Sequence, residues 1–181
     1  MIVVGITGAS GAIYAKLLLN ELCSLIPCQQ ISVVFSEKAK DVWAHEIGSF
    51  THDYPFAIYE NDDFNATFAS GSSQCSAMII CPCSMGTMSR IANGMSDTLI
   101  TRAADVMLKE RRKLILATRE TPINLIHINN MQILTHAGAI IAPASPSFYS
   151  KPKTVEDTAM TVVDRLLQLA GIKKEVYIWG V

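Results

Sequence analysis

Short apolar segments recur along this chain, and a segment with helical spacing follows most of them. Residues 2–6, 31–35, 77–81, 113–118 and 139–143 read IVVGI, ISVVF, AMIIC, KLILAT and AIIAP. Such runs are typical of strands covered on both faces, and strands that alternate with helices form parallel sheets. We therefore predict an α/β fold in which a parallel sheet carries helices on both faces.

The composition limits the class of protein. The chain has 181 residues with no internal repeat or linker, which fits a single domain over residues 1–181. Half of its residues are hydrophobic and 17% are charged, so we expect copies of the chain to cover part of its surface in an oligomer. The net charge of -1 argues against nucleic acid or an anionic membrane as a partner. No apolar run approaches a membrane span of about 20 residues and no signal peptide is recognisable, so we expect a cytoplasmic protein.

Cysteine and histidine residues do not form a metal-binding pattern. The five cysteines are odd in number, and in a cytoplasmic chain we expect most of them to be reduced and buried. Cys81 and Cys83 are close in sequence, but no second Cys/His pair at zinc-finger spacing accompanies them. The four histidines are scattered, and we interpret them as structural or surface residues. We therefore predict no metal site.

Capping residues predict where several helices begin and end. Ser36 precedes the helical sequence EKAKDVWAHEI, and Asp97 precedes TLITRAADVMLKERR. Thr154 and Asp157 have the spacing of a capping box, with Asp in place of Glu, and Gly171 would end the same helix.

Two segments lack the regular alternation of strands and helices. Residues 51–76 are polar and rich in Gly and Ser, with little periodicity, and they are longer than a routine connection. We predict a functional loop or lid there. The tail at about residues 172–181 ends in VYIWGV, and we expect this apolar segment to dock on a neighbouring subunit.

Glycines and hydroxyl groups follow the predicted strands at their carboxyl ends, where ligands bind in parallel sheets. TGASGA follows the first strand, Ser36 the second and CPCSMGT the central one. The glycines would let N–H groups approach a phosphate, and Ser84 and Thr87 would offer hydroxyls at a second helix N-terminus. A plain tight turn at the glycines and helix caps at Ser10 and Ser84 would explain the same residues.

Positive charge is concentrated between Arg90 and Arg119, a segment that holds seven of the fifteen Lys and Arg residues. Arg102 and Lys109 share one helix face, which is either a phosphate site or an ordinary solvated face. Arg119 stands beside Glu120 at a strand end, where its planar donors suit phosphate and a structural ion pair is the alternative. We assign no role to a charged helix end at Arg111, Arg112 and Lys113.

Five segments together resemble a known family. TGASGAIY, CPCSMGT, TRAADVMLKERRKLIL, RETP and PASPSFY, in this order, closely resemble the UbiX flavin prenyltransferases, and the resemblance runs through nearly the whole chain. It implies a flavodoxin-like, Rossmann-like fold, usually assembled as a homo-oligomeric dodecamer. It also implies a metal-independent enzyme that joins the dimethylallyl group of dimethylallyl monophosphate to N5 and C6 of reduced FMN. Prenylated FMN, the product, is the cofactor of UbiD-type decarboxylases.

The resemblance implies roles for particular residues. The FMN contacts would be Gly8, Ala9, Ser10, Ser36, Ser84, Met85, Gly86, Thr87 and Arg119. The prenyl donor would contact residues supplied partly across subunit boundaries: Phe64, Arg102, Lys109, Glu120, Tyr149, Arg165 and Trp179. Phe64 stands where some family members have Trp. The catalytic set would be Ser10 and Glu46 as a proton relay, Glu120 to protonate or orient the departing phosphate, and Lys109.

Two other functions stay open from the sequence. An FMN-dependent decarboxylase of cysteinyl substrates shares this fold, but members resembling those enzymes carry a His near the start of the first helix, and residues 8–22 contain none here. A flavin carrier without chemistry would use the same glycines and hydroxyls, although it gives no reason for Lys109, Tyr149 and Arg165.

Overall fold

Six parallel strands form the centre of the structure, a computed structural model that describes residues 1–49, 54–177 and 180. The spatial order is β3-β2-β1-β4-β5-β6, and every neighbouring pair is parallel. All six strands therefore end at one edge of the sheet, called the carboxyl edge below. The strands are β1 (Ile2–Ile6), β2 (Ile31–Phe35), β3 (Ala57–Glu60), β4 (Ala77–Cys83), β5 (Lys113–Thr118) and β6 (Ile140–Ile141).

Helices cover both faces of the sheet, which confirms the predicted architecture. One face carries α1, α2 and α6, and the other carries α3, α4 and α5. The helices are α1 (Ala12–Leu25), α2 (Glu37–Glu46), α3 (Met85–Ala92), α4 (Leu99–Lys109), α5 (Leu125–His136) and α6 (Val155–Ala170).

The two faces have separate apolar cores. Val4 and Ile79 pack in the core beneath α1 and α6, whereas their neighbours Val3 and Met78 pack beneath α3 and α4. Successive side chains of a strand point to opposite faces, and all four of these are fully buried. This double burial is the reason that the strand sequences are continuously apolar rather than alternating.

The prediction of a loop or lid over residues 51–76 is wrong for part of that segment. Ala57–Glu60 forms the edge strand β3, which pairs in parallel with β2. Further along, Phe68 is fully buried and packs edge-to-face on Tyr59. An edge strand is half exposed, so Ala57–Glu60 lacks the apolar run by which the other strands were recognised.

Most predicted helix ends are confirmed. Ser36 caps α2 by accepting the N–H of Ala39, and Thr154 and Asp157 form the predicted capping box of α6. Gly171 ends α6 in the left-handed conformation, with φ of 84°.

The predicted cap at Asp97 is wrong. Thr98 caps α4 and forms a capping box with Thr101, whereas the Asp97 carboxylate pairs with the guanidinium of Arg90. The helix also ends at Lys109, before the predicted charged end, because Arg111 has a φ of 55° and leaves the helical conformation.

Helix α5 exposes apolar side chains on several sides. Within it, Asn130 and Leu134 are the buried residues. Large exposed side chains on α5 and in the residue before its cap are Ile123, Leu125, Ile126, Ile128 and Ile133. Among the described residues, every helix is too short or too polar to cross a lipid bilayer.

Candidate functional site

Thr7 joins two loops at the carboxyl edge. The first loop, residues 7–11, follows β1, and the second loop, residues 82–87, begins at the end of β4. The buried Thr7 hydroxyl donates to the carbonyl of Pro82 over 2.8 Å and accepts the N–H of Ser84 over 2.8 Å. The two loops, and the helices α1 and α3 that they lead into, therefore start side by side.

The structure of the first loop requires glycine at two positions. A Cβ at Gly8 would lie 2.5 Å from the Cβ of Lys38, so a larger residue does not fit where this loop meets α2. Gly11 has a φ of 110° and occupies the N-cap position of α1. The tight turn considered from the sequence is therefore present, and it leaves the loop backbone without bulky side chains.

Glu46, and not Ser10, caps helix α1. Its Oε2 atom accepts the N–H groups of Gly11 and Ala12 over 2.9 and 2.8 Å. The cap interpretation of Ser10 is wrong, because Gly11 holds the N-cap position and makes no side-chain capping bond. Ser10 instead forms a hydrogen bond with the Glu46 side chain.

The Glu46 carboxylate is held in its charged form. Partial burial acts to raise its pKa, but hydrogen bonds from Ser10, Gly11 and Ala12, with the nearby charge of Arg119, outweigh burial and lower the pKa. Glu46 is therefore ionised at neutral pH and can accept a proton through Ser10.

The second loop places hydroxyls and N–H groups at the start of α3. Ser84 caps this helix by accepting the N–H of Thr87, and its hydroxyl lies 3.1 Å from that of Thr87. The cap interpretation of Ser84 is thus confirmed. A Cβ at Gly86 would meet no atom within 4 Å, so the first turn of α3 borders open space and its backbone is accessible. The N-terminus of α3 therefore provides positive potential at a surface that a ligand can reach.

Arg119 completes this group of residues. Its backbone N–H bonds to the carbonyl of Cys83, and its Nε donates to the carbonyl of Ser10 over 3.1 Å. The guanidinium thus connects β5 to the first loop, and the ion pair with Glu120 considered from the sequence does not form. The Glu120 carboxylate accepts the N–H of Thr121 over 3.0 Å. All predicted FMN contacts lie at this edge: Gly8, Ala9, Ser10, Ser36, Ser84, Met85, Gly86, Thr87 and Arg119.

A second group of predicted residues lies on α4 and the loop of residues 69–73. Arg102 bonds to the carbonyl of Ala69 over 3.0 Å and pairs with Asp105 at 3.5 Å. Lys109 pairs with Glu110, and a Cβ at Gly71 would lie 2.5 Å from the Lys109 Nζ. Phe64, 48% exposed, lines a groove that continues along the same loop.

Arg165 and Tyr149 lie on the other side of the molecule. Arg165 lines a cleft between α6 and residues 142–150, where its guanidinium bonds to Gln168 over 3.2 Å. Tyr149, 64% exposed, belongs to that loop after β6. Trp179, the remaining predicted contact, lies outside the described residues.

One chain does not bring the predicted prenyl-donor residues together. Helix α4 starts at the carboxyl edge, where Leu99 donates to the carbonyl of Asn61, and Lys109 at its far end lies near the start of β5. Arg165 lies on α6, across the sheet from α4. The sheet thus separates Arg102 and Lys109 from Arg165 within a subunit.

Comparisons with known proteins show the family to which this chain belongs. A model of the Flavoprotein family matches residues 1–171. The flavin prenyltransferase UbiX of Methanocaldococcus jannaschii is 46% identical over 99% of this chain and 98% of its own length. The chain belongs to the UbiX family.

Solved structures of the UbiX family share the fold over nearly the full length. AnUbiX in complex with FMN and dimethylallyl pyrophosphate superposes with a TM-score of 0.90 at 37% identity, covering 98% of this chain and 97% of that one. The dodecameric FMN-dependent UbiX-like decarboxylase of Escherichia coli O157:H7 gives a TM-score of 0.91 at 38% identity, covering 98% of each chain. The cysteine decarboxylase TvaF, at 16% identity and a TM-score of 0.66, shares only the fold.

Cys81 and Cys83 of this UbiX family member are fully buried. Burial raises the pKa of the Cys83 thiol to about 12, and it raises the pKa of Cys81 as well. Both thiols therefore remain protonated at neutral pH. Over residues 1–49 and 54–177, no three His, Cys, Asp or Glu side chains form a group suited to a metal ion.

Two residues of this UbiX family member were missed by the sequence reasoning. Thr7 joins the two loops, and its position directly before the first glycine of TGASGA was the available signal. Arg112 donates to the carbonyl of Gly71 over 2.8 Å and lies 3.3 Å from the Ser73 hydroxyl. Sequence pattern gave no signal for that contact, because it depends on a loop about 40 residues away.

Proposed function

We propose that this chain is a flavin prenyltransferase. It transfers the dimethylallyl group of dimethylallyl monophosphate to N5 and C6 of reduced FMN, and its product, prenylated FMN, serves a UbiD-type decarboxylase. The observation that carries the proposal is the pair of loops fixed by Thr7, with Arg119 across them, in a chain that is 46% identical to a UbiX enzyme.

The residues at the carboxyl edge fit FMN. Anionic phosphate is matched by the N-terminus of α3, the Ser36 and Ser84 hydroxyls and the Arg119 guanidinium. The first loop carries no large side chain between Gly8 and Gly11, so a flat ring can approach its backbone. When bound, reduced FMN supplies the nucleophilic nitrogen and carbon that receive the prenyl group.

The prenyl phosphate requires residues from more than one subunit. Arg102 and Lys109 lie across the sheet from Arg165, so a single site can contain all three only when neighbouring subunits contribute them. We propose a dodecamer like that of the Escherichia coli relative. The exposed apolar side chains of α5, such as Leu125 and Ile126, support burial between subunits.

The chemistry explains why this site has both cations and aromatic rings. Breaking the allylic C–O bond places negative charge on the phosphate and positive charge on the five-carbon fragment. Fixed cations at Arg102, Lys109 and Arg165 stabilise the negative charge on the phosphate. Aromatic faces, with Phe64 and Trp179 as the candidates, stabilise the positive charge on the five-carbon fragment.

Glu46 and Ser10 would remove the final proton. The Glu46 carboxylate is ionised and hydrogen-bonded to Ser10, so Ser10 can pass it a proton as the second carbon bond closes. Glu120, adjacent to Arg119 in the chain, orients or protonates the departing phosphate in this proposal.

Mass spectrometry tests the proposed activity. The chain is incubated anaerobically with reduced FMN and dimethylallyl monophosphate, and the flavin is expected to gain one five-carbon unit. Lys109→Met should lower the rate about 100-fold, because one fixed charge at the departing phosphate is lost. Lys113→Met, on an exposed lysine outside the site, is the matched control. An unchanged flavin mass would refute the proposal and leave a flavin carrier as the better account.

A further inference from the structure

The segment after α6, residues 172–177 and here called the C-terminal segment, lies along α1 and α6. Its side chains alternate: Ile172, Lys174 and Val176 are half-buried, whereas those between them are exposed. Ile172 packs on the core beneath α1 and α6, and Val176 and Tyr177 line the cleft that contains Arg165. The C-terminal segment therefore forms one wall of that cleft.

Lys174 fastens the C-terminal segment to both helices. Its Nζ lies 2.7 Å from a carboxylate oxygen of Glu21 on α1 and 2.7 Å from one of Asp164 on α6. The three side chains are only 20–25% exposed, so water screens these pairs less than it screens surface pairs. Burial acts to lower the pKa of Lys174, but its bonds to Asp164 and Glu21 outweigh burial and raise the pKa, so the ammonium stays charged.

Lys174 also determines the charge around Arg165. Asp164 precedes Arg165 directly, and both residues line the cleft. The Asp164 carboxylate binds Lys174, and the Arg165 guanidinium bonds to the neutral side chain of Gln168. The other carboxylate in the cleft, that of Asp157, accepts the N–H groups of Lys153 and Thr154. Arg165 thus keeps a positive charge that no carboxylate neutralises in the described part of the chain.

We propose that Lys174 is a positioning residue: it holds the C-terminal segment against α1 and α6 and neutralises the Asp164 carboxylate in the cleft that Arg165 lines, so that the cleft binds the phosphate of the prenyl donor. The assignment of the ligand as the prenyl phosphate rests on the proposed function. The attachment of the C-terminal segment by Lys174 is independent of that function. Without Lys174, the Glu21 and Asp164 carboxylates would be unpaired, and the negative charge of Asp164 would weaken the attraction of the cleft for phosphate.

Two measurements on three variants test this inference. Lys174→Gln removes the cation, Lys174→Arg restores it, and Lys173→Gln changes the exposed neighbouring lysine as a matched control. Chymotrypsin cleavage at Tyr177 under native conditions reports attachment of the segment. Calorimetric titration of the FMN-loaded, oxidised protein with dimethylallyl monophosphate reports phosphate affinity without turnover.

Lys174→Gln should be cleaved about tenfold faster and bind the prenyl phosphate about tenfold more weakly, because the partly buried cation shared by Glu21 and Asp164 is lost. Lys174→Arg and Lys173→Gln should behave as wild type. Equal cleavage of Lys174→Gln and Lys173→Gln would overturn the positioning role, and equal affinity would overturn the effect on Arg165. If wild type fails the mass assay, the proposed function falls, while the cleavage comparison still decides whether Lys174 attaches the segment.

Discussion

At the scale of single residues, Glu46 combines a structural and a chemical role. The same carboxylate that caps α1 through Gly11 and Ala12 also bonds to Ser10, the proposed donor of the final proton. A low pKa suits the cap, because an ionised carboxylate accepts two N–H bonds at the positive end of a helix. It also makes Glu46 a weak base, so we expect the proton to leave through Ser10 only after positive charge has developed on the flavin.

The Glu46 cap predicts a pH-dependent stability. The pKa of Glu46 is lowered on folding, so its contribution is present above its unfolded pKa of about 4.5 and is lost as pH falls through the folded value. Relative to Glu46→Gln, wild type should be more stable by about 1 kcal/mol at pH 7, a modest value because solvent screens this exposed group. The difference should become smaller as the pH falls below about 4.5 and Glu46 becomes protonated.

Urea unfolding at fixed protein concentration measures this difference. Glu175→Gln, at an exposed glutamate, controls for the loss of one negative charge. A stability difference between wild type and Glu46→Gln that does not change between pH 7 and pH 3 would show that the carboxylate's charge plays no part in capping α1.

At the scale of elements, the turn between α4 and β5 supports the loop of residues 69–73. Arg112 binds the Gly71 carbonyl with Nη2, while its Nη1 lies near Ser73. Gly71 in turn lies against the Lys109 Nζ, with no room for a side chain between them unless Lys109 moves. The position of Lys109 therefore depends on a planar guanidinium that contacts two groups of the loop at once.

Replacing Arg112 by Lys should loosen this loop, because an ammonium group does not reproduce the planar arrangement of donors. We expect the KM for dimethylallyl monophosphate to rise about tenfold with FMN affinity unchanged, since the proposed FMN contacts lie at the other edge of the sheet. Arg111→Lys, at the exposed neighbouring residue, should leave both values unchanged. Steady-state kinetics and flavin titration measure the two quantities, and equal KM values for the two variants would contradict the role of Arg112.

The elements differ in how far sequence could predict them. The Ser36 cap of α2 and the capping box of α6 follow from local spacing, and the parallel order places Ser36, Ser84 and Arg119 at one edge. β3 was missed because an edge strand lacks a continuous apolar run. The Glu46 cap and the Arg112 contact join residues about 35 and 40 positions apart, and only the folded chain brings such residues together.

At the scale of the whole molecule, the sheet separates the residues that are proposed to bind the prenyl donor. Lys109 lies on the α4 side and Arg165 on the α6 side, so the site combines them only between subunits. A site built this way has a property that a site within one chain lacks. Two inactive variants can regain activity when they assemble together, because one subunit supplies an intact Lys109 and its neighbour supplies an intact Arg165.

Mixed assemblies test this property. Lys109→Ala and Arg165→Ala should each be inactive alone, but co-expression in equal amounts should restore about a quarter of the wild-type rate, the share of sites that receive both intact residues at random. The flavin mass assay on purified mixed oligomers measures the rate. Activity no greater than that of the separate variants would show that both residues serve a site from the same subunit.

Helix α5 makes this protein sensitive to its own concentration. Leu125 and Ile126, each more than two-thirds exposed, lie at the start of a helix that also exposes Ile128 and Ile133. A subunit that dissociates from its neighbours exposes this apolar surface and, in the proposed arrangement, contains only part of the active site. Activity per subunit should therefore fall at low protein concentration, because subunits dissociate and lose complete sites. Dissociated subunits should also tend to aggregate.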